Sequence, residues 1–438
     1  MKPESIGGGP SNPTRKREQK EGLGKPIPVN FFKLGGTWDM IFREDGQKIG
    51  SGSLDDNKLL EMQTGLGMFT RDPKQRALAE RKLVTELYAR FKGVNKEELD
   101  AAEHLSNWAK NEKDEQFGDF VKGPLLPLFS GDSSHLRNPI TAPIIATLIE
   151  KAIAEPDKPI LGGQGTDTAD IAILGPFDVL TFDTELPPLI LAGANRSHNE
   201  DNSDAPQNFI DLAKLAHLDL ESGAYWIFQG ELYKAGDFIK IDPLETRRIE
   251  DQLTFWSAHK TNETVSSLLG RIDKSRANWQ SRKAPSSEHV VHKITPEKLY
   301  DAFEQIYVDD LGNQNSVPQF MIHNYDPKIK AIVVGAHSLG NVDNEARYDL
   351  VQAAKDGKLV IDASRTLIGG TTLDYAASLL GANINPKELG GTGKIILSAH
   401  KLSKSMSRAV LARAIIEGLD QIQTQKLIDN YAKSRNLI

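Results

Sequence analysis

The apolar positions of this 438-residue chain fall into two kinds of run. Short continuous runs, "VNFFKL", "GPLLPLF", "KPILGG", "LPPLILAGA" and "GAYWIFQGELY", have the length and β-branched or aromatic content of buried strands. Between them lie stretches with apolar residues three and four apart, "NPITAPIIATLIEKAIAE" and "NFIDLAKLAHL", which predict helices. Strands that alternate with helices, with no polar face of their own, imply a parallel sheet covered on both sides. The same alternation returns later. "VPQFMIHNY", "IKAIVVGA" and "KLVIDASR" predict strands, while "NEARYDLVQAAKDG" and "SRAVLARAIIEGLDQIQTQKLIDNYAK" predict helices.

Polar stretches punctuate this pattern and set the expected organisation. Residues 1–27 are Gly, Pro, Ser and charge and read as a disordered tail, with Arg15, Lys16 and Arg17 a solvated patch. Residues 28–270 form an expected N-terminal α/β domain, 271–290 a polar linker and 291–438 a smaller C-terminal α/β domain. Inside the first domain, "IFREDGQKIGSGSLDD" is polar and Gly-rich and reads as a mobile loop. From about 73 to 122 the spacing of Leu83, Val84, Leu87, Tyr88 and Phe91 predicts helices, with Asn95 as an N-cap. Residues 63–124 read as a helical insert of this kind.

Composition narrows the chemistry. A formal net charge of −7 gives no electrostatic reason to expect nucleic acid as a direct partner. The chain has no cysteine, which removes disulfides, thiolate nucleophiles and cysteine metal sites. No apolar run reaches the roughly 18 residues that a membrane span needs. The first residues have no apolar core of a secretory signal, so a cytoplasmic protein is expected.

Four loops gather hydroxyl and charged groups just after apolar runs. They are Gly35-Gly36-Thr37, "FSGDSSHL" with Asp132, Ser133 and Ser134, "GGQGTDTAD" with Gly165, Thr166, Asp167 and Thr168, and "ELYKAGDFIKID" with Lys240 and Asp242. A Gly-Gly pair after a strand fits a tight turn, a phosphate cradle or the approach to a nucleophile. A Thr-Asp pair alone reads as a cap or an Asx turn. Neither dinucleotide nor P-loop glycine patterns occur in the required setting. His289 and His292 form an H-x-x-H, which lacks the further ligands that a metal needs.

Taken in order, these loops resemble the bacterial-type L-asparaginase and glutaminase family. "LGGTWD" is similar to its Gly-Gly-Thr, "GDSSHL" to its substrate-binding serine loop at Ser133, and "QGTDTAD" to its Gly-Thr-Asp-Thr loop. "LAGANRSHNEDNSDAPQNF" is similar to its Gly-Ala-x-Arg stretch, and "GAYWIFQGELYKAGDFIKI" to the hairpin that carries its catalytic lysine, here Lys240. "IDASRTLIGGTT" and "LSKSMSRAVLARAI" resemble its second domain. The resemblance covers about 29–62 and 125–438.

The resemblance implies an amidohydrolase of two α/β domains, assembled as a homodimer or homotetramer, acting on a small-molecule amide substrate in asparagine catabolism. L-Asparagine comes first and L-glutamine second. It implies Thr37 as the nucleophile, Thr166, Asp167 and Lys240 as the supporting triad, and Ser133, Asp132, Gly36 and Asp167 as the substrate-binding set. Hydroxyls and a lysine suffice for amide hydrolysis, so no metal or organic cofactor is expected. Near Asn341 the family lends a residue to a neighbouring subunit's site; a plain turn residue is the other reading.

The sequence departs from that pattern at four places. Residues 41–56 contain no tyrosine where the family's lid carries one, which leaves Asp39, Glu44, Asp45 and Lys48 as lid groups. Gln164 stands where the family has a histidine. The helical insert is extra. "RSHNEDNSDAPQN" is closer to the asparaginase-like subunit of an archaeal tRNA-dependent amidotransferase, but only about 28 residues precede the first strand, too few for that subunit's extra domain. Two other functions stay open: an ammonia-releasing amidotransferase subunit, and an inactive asparaginase-like binding protein.

Overall fold

A computed structural model describes residues 25–36, 40–42, 48–50, 54, 56–92, 117–130, 132–197, 200, 203–236, 238–240, 255–257, 263–264, 267–268, 282–309, 327–336, 340–364, 371, 378–385, 387–389 and 393–438. The predicted strand over "VPQFMIHNY", the Asn95 cap, Arg15–Arg17, Thr37, Asp39, Glu44 and Asp45 lie outside these residues.

The apolar runs become the strands of two sheets. In the first, β1 is Asn30–Leu34, β2 Leu125–Phe129, β3 Ile160–Gln164, β4 Leu189–Ala192 and β5 Ala224–Phe228. These five are parallel in the order β2-β1-β3-β4-β5. Two antiparallel strands, β6 (Glu231–Lys234) and β7 (Glu263–Thr264), extend the sheet beyond β5. β5 and β6 form a hairpin turned by Gln229 and Gly230, both at positive φ, which matches the twist of a two-residue turn.

Every strand residue of β1, β3, β4 and β5 is buried. Their side chains alternate between two apolar layers. Ile160, Leu189, Leu191, Ala224 and Trp226 enter one cluster, and Leu161, Ile190, Tyr225 and Ile227 enter the other. This is why the sequence shows continuous apolar runs rather than a polar-apolar alternation.

The second sheet is β8 (Ile306–Asp309), β9 (Ala331–Ala336), β10 (Leu359–Ser364) and β11 (Leu397–Ser398), all parallel and in sequence order. One face of this sheet, through Ala331, Val333 and Ile361, joins the same apolar cluster as the first sheet. Its other face, through Ile332, Val334 and Val360, closes on a core of its own. The α/β architecture with two mostly parallel sheets is the one expected from the pattern of runs.

Nine helices are found among the described residues: α1 Asp56–Gly65, α2 Pro73–Lys92, α3 Asn138–Ala154, α4 Leu174–Thr181, α5 Ala205–Leu215, α6 Pro296–Glu304, α7 Asn344–Lys355, α8 Lys404–Glu417 and α9 Gln421–Ser434. Within the insert, α2 buries Leu83, Val84, Leu87 and Phe91, as the spacing predicts. The helical run does not continue to 122. Phe117–Asp119 is a single 3-10 turn, and Val121–Lys122 pairs in parallel with Ile27–Pro28. Gly118, Gly123 and Pro124 break the helical pattern there.

α2 packs on α3 and on α6, so the insert bridges helices of both halves of the chain. Tyr88 hydrogen-bonds Glu150 of α3, and the Tyr300 hydroxyl of α6 donates to Glu80 at 2.8 Å. Among the described residues no helix is long and apolar enough to cross a membrane.

Candidate functional site

The strand order fixes where a site can form. The chain leaves β1 in one direction to build β2, then returns to place β3 on the other side of β1. β1 and β3 therefore flank the point where the strand order reverses, and open α/β sheets bind ligands beyond the carboxyl ends of the strands at such a point. Three of the four predicted loops follow the carboxyl ends of β2, β1 and β3.

Gly35 and Gly36 follow β1 with φ of 74° and 100°, a region where a Cβ costs strain. Gly36 lies so close to the β3 loop that a Cβ on it would sit 2.1 Å from Gly165 Cα and 2.3 Å from Gly165 N. A Cβ on Gly165 would in turn sit 2.3 Å from both Cβ and Oγ of Ser133. The three loops are thus in direct contact through glycine, and no larger residue fits at either junction. Thr37 follows Gly36 in sequence and is outside the described residues.

Ser133 opens a 3-10 turn, Ser133–His135, and is buried. Asp132 caps that turn: its Oδ1 accepts the Ser134 N–H at 2.7 Å. Thr166 opens a second such turn, Thr166–Thr168, which runs on into Ala169–Ile173 and α4. Thr166 is buried, whereas Asp167 is exposed. The Thr168 hydroxyl donates to the Ser133 carbonyl at 3.4 Å and ties the two turns together.

The residue found at the predicted departure, Gln164, has a structural task. Its side-chain amide, fully buried, donates to the Thr168 carbonyl at 2.9 Å and to Thr168 Oγ1 at 3.2 Å. It closes the Thr-Asp-Thr turn from below. Its Oε1 is buried, with no hydrogen-bond donor in reach among the described residues.

Lys240 ends the strand Phe238–Lys240, which pairs antiparallel with Phe255–Ser257. That strand runs beside Ala169–Ile173, the continuation of the Thr166 turn. The Lys240 side chain is outside the described residues. Phe238 anchors the strand, its ring 6.3 Å from Trp226 and 5.5 Å from Tyr233.

In the "GANRS…SDAPQN" stretch, Asp204 and Asn208 hold the loop after β4. The Asp204 carboxylate accepts the Asn195 and Arg196 N–H groups at 3.0–3.1 Å. Asn208 donates to the Gly193 carbonyl at 2.9 Å and accepts the Gln229 N–H at 2.9 Å.

One residue at the site has no counterpart in the sequence reading. Asp56, the first residue of α1, accepts the Asp132 N–H at 3.0 and 3.3 Å and contacts His135 Nδ1 at 2.8 Å. In sequence it looks like an ordinary acidic helix start, and its partners lie 76 and 79 residues away. Only the fold brings them together.

This chain is similar to solved L-asparaginase structures over nearly its whole length. The thermostable L-asparaginase from Thermococcus kodakarensis matches 92% of this chain and 96% of its own, with 15% identity and a TM-score of 0.54. The probable cytoplasmic L-asparaginase from Campylobacter jejuni matches 92% of this chain and 99% of its own, with 14% identity and a TM-score of 0.55. The chain has the L-asparaginase fold. No protein-family model and no curated protein sequence matches it.

Within that fold, other features fall outside the contact of these three loops. A groove of about 1340 Å³ lies between α2, α3 and the start of α8, lined by Phe69, Arg76, Arg137, Ile171 and Arg408. It touches His135 but none of Gly36, Ser133 or Thr166. His289 faces Asp183 at 3.4 Å, and His292 Nε2 lies 3.2 Å from the Pro285 carbonyl, so the H-x-x-H nitrogens have partners of their own. Among the described residues no group of three His, Asp or Glu is placed to hold a metal. Asn341 forms a β-bridge with Ser378, in the second sheet's loops.

Proposed function

We propose that this chain hydrolyses the side-chain amide of a small amino acid, L-asparagine first, to the acid and ammonia. The observation that carries this reading is the contact of three loops, Gly35-Gly36, Asp132–Ser134 and Gly165–Thr168, beyond the carboxyl ends of β1, β2 and β3. Amide hydrolysis needs a nucleophile, a proton acceptor and donors for an oxyanion at one point. In this proposal Thr37, next in sequence to Gly36, attacks the amide carbon. Its proton passes towards Lys240, with Thr166 and Asp167 beside it. The nitrogen leaves as ammonia, and water cleaves the acyl-threonine ester to release the acid and regenerate the hydroxyl. Ser133 and Asp132 hold the substrate's α-groups, Asp167 binds its α-amine, and the glycine backbone at Gly36 passes close to the reacting carbon.

The division into a catalytic unit at 28–270, a linker at 271–290 and a second unit at 291–438 belongs to the same proposal. So does assembly as a homodimer or homotetramer with sites near subunit interfaces.

Ammonia release from asparagine and from glutamine, measured for the wild type, Thr37→Ala and Thr166→Ala, tests the reading. The wild type is expected to turn over at least one amide. Thr37→Ala should lose at least about a thousandfold in kcat, because a catalytic nucleophile cannot be replaced by a methyl group. No turnover of either amide by the wild type would sink the hydrolase reading. Full activity in Thr37→Ala would move the nucleophile elsewhere. Turnover of glutamine only in the presence of a tRNA-binding partner would favour the amidotransferase subunit.

A further inference from the structure

The segment that leads into the insert reaches the candidate site through one carboxylate. Asp56 opens α1, and Leu54, two residues before it, is buried. The Leu54 carbonyl accepts the Ser130 N–H at 3.1 Å, and the Asp56 carboxylate accepts the Asp132 N–H at 3.0 and 3.3 Å. The segment entering the insert therefore holds the chain just after β2 on the amino side of Ser133. His135, on the carboxyl side of Ser133, meets the same carboxylate at 2.8 Å. One acidic side chain thus spans the whole Ser133 turn.

The opposite side of that turn is already fixed. Ser133 abuts Gly165, with no room even for a methyl group between them, and its carbonyl receives the Thr168 hydroxyl. A turn pinned by contact on one side is held on the other by the Leu54 carbonyl and the Asp56 carboxylate, and of these two the carboxylate is the side-chain contribution to its position. Binding groups must be held within about half an ångström to be productive.

We infer that Asp56 is the positioning residue of the substrate-binding turn, and that α1, which leads into the insert, sets substrate affinity through it. This rests on the hydrolase reading for its kinetic consequence, though not for the contact itself. Ser133 and Asp132 would hold the α-end of the substrate, away from the scissile amide. Such contacts are made alike in the ground state and the transition state, so weakening them raises KM and leaves kcat in place.

The test uses the full chain and two variants. Asp56→Ala removes the acceptor; Asp56→Asn keeps one carbonyl oxygen for the Asp132 N–H. Asp56→Ala should raise KM for asparagine about tenfold or more, the effect of losing a hydrogen bond to a charged group, with kcat within about twofold. Asp56→Asn should raise KM by less than about threefold, since a neutral acceptor still closes the bond. Amide hydrogen exchange at Asp132 gives a readout that does not depend on turnover. It should quicken at least about tenfold in Asp56→Ala and stay near wild type in Asp56→Asn.

Equal exchange at Asp132 in all three proteins would overturn the inference, as would a fall in kcat at constant KM. Equal loss in Asn and Ala variants would do the same. If no variant turns over either amide but Asp132 exchange responds as expected, the hydrolase reading fails and the positioning role stands.

Discussion

At the scale of single residues, the candidate site depends on what is missing from two side chains. Gly36 combines a φ of 100° with backbone contact to Gly165, so an alanine there meets both strain and a main chain that cannot step aside. Gly165 differs: its φ is −68°, which any residue adopts. Its added methyl would meet Ser133 Cβ and Oγ at 2.3 Å and Gly36 Cα at 3.0 Å. Gly165→Ala is therefore chiefly a displacement of Ser133, with a tight backbone contact to Gly36 beside it. It should cut kcat/KM by at least about a hundredfold, the order expected when a binding group shifts by about an ångström. Circular dichroism should stay native, because both loops lie at the end of a sheet whose core is untouched. Wild-type kcat/KM in this variant would show that the Ser133 turn is not part of the site.

At the scale of elements, the insert is a packed part of the body. α2 buries Leu83, Val84 and Leu87 completely against the main core, while Arg81 pairs with Asp301 of α6 at 2.8 Å. The exposed ion pair contributes little, and the apolar face dominates. Leu87→Ala should cost about 2–5 kcal/mol of unfolding free energy, as large-to-small changes in a closed core do. Urea titration followed by tryptophan fluorescence reads this directly. An unchanged midpoint would mean that α2 is not part of the cooperative unit. α2 spans α3 and α6, so such loosening would reach both sheets.

For the whole molecule, the end of the last helix adds a buried polar tie between the two halves, beside the packing of α6 on α3 and of α8 on α4. Asp178 on α4 and Arg435 just after α9 form a buried pair, with hydrogen bonds of 2.9 and 2.6 Å. The Tyr431 hydroxyl adds a third bond to Asp178 at 2.6 Å, and the Ala224 N–H at the start of β5 a fourth at 2.7 Å. Burial pushes the Tyr431 phenol well above its usual range, and the Asp178 charge pushes it further. Burial works against the Arg435 charge, but the Asp178 carboxylate overrides it and raises the guanidinium above its ordinary value. Removing one partner leaves a charge buried without compensation. Arg435→Met should thus destabilise the protein by about 3–5 kcal/mol, read as a lower urea midpoint, whereas Asp178→Asn with Arg435→Met together should recover part of that loss. No shift in the single variant would mean that α9 is not needed to hold the halves together.

The layers were legible in local pattern. Continuous apolar runs such as "ILGGQ" and "AYWIF" have the length and composition of strands buried on both faces, and the spacing of Leu83, Val84, Leu87 and Phe91 is that of a helix with one buried side. The sequence also carried the order of the loops, and with it the resemblance that named Gly36, Ser133, Thr166 and Asp167. What it could not carry was contact between distant segments. Whether Gly36 touches Gly165, and Gly165 touches Ser133, depends on β3 crossing to the far side of β1, a choice of topology that no local pattern encodes. The helical pattern towards 122 fails for the same reason: Val121–Lys122 becomes a strand through its pairing with Ile27–Pro28, more than 90 residues earlier. Asp56 is the clearest case. As a residue it is an unremarkable helix start, and tertiary structure alone sets its carboxylate between the Asp132 N–H and His135. Periodicity is a property of neighbours in the chain, while a site is a meeting of residues that the chain keeps apart.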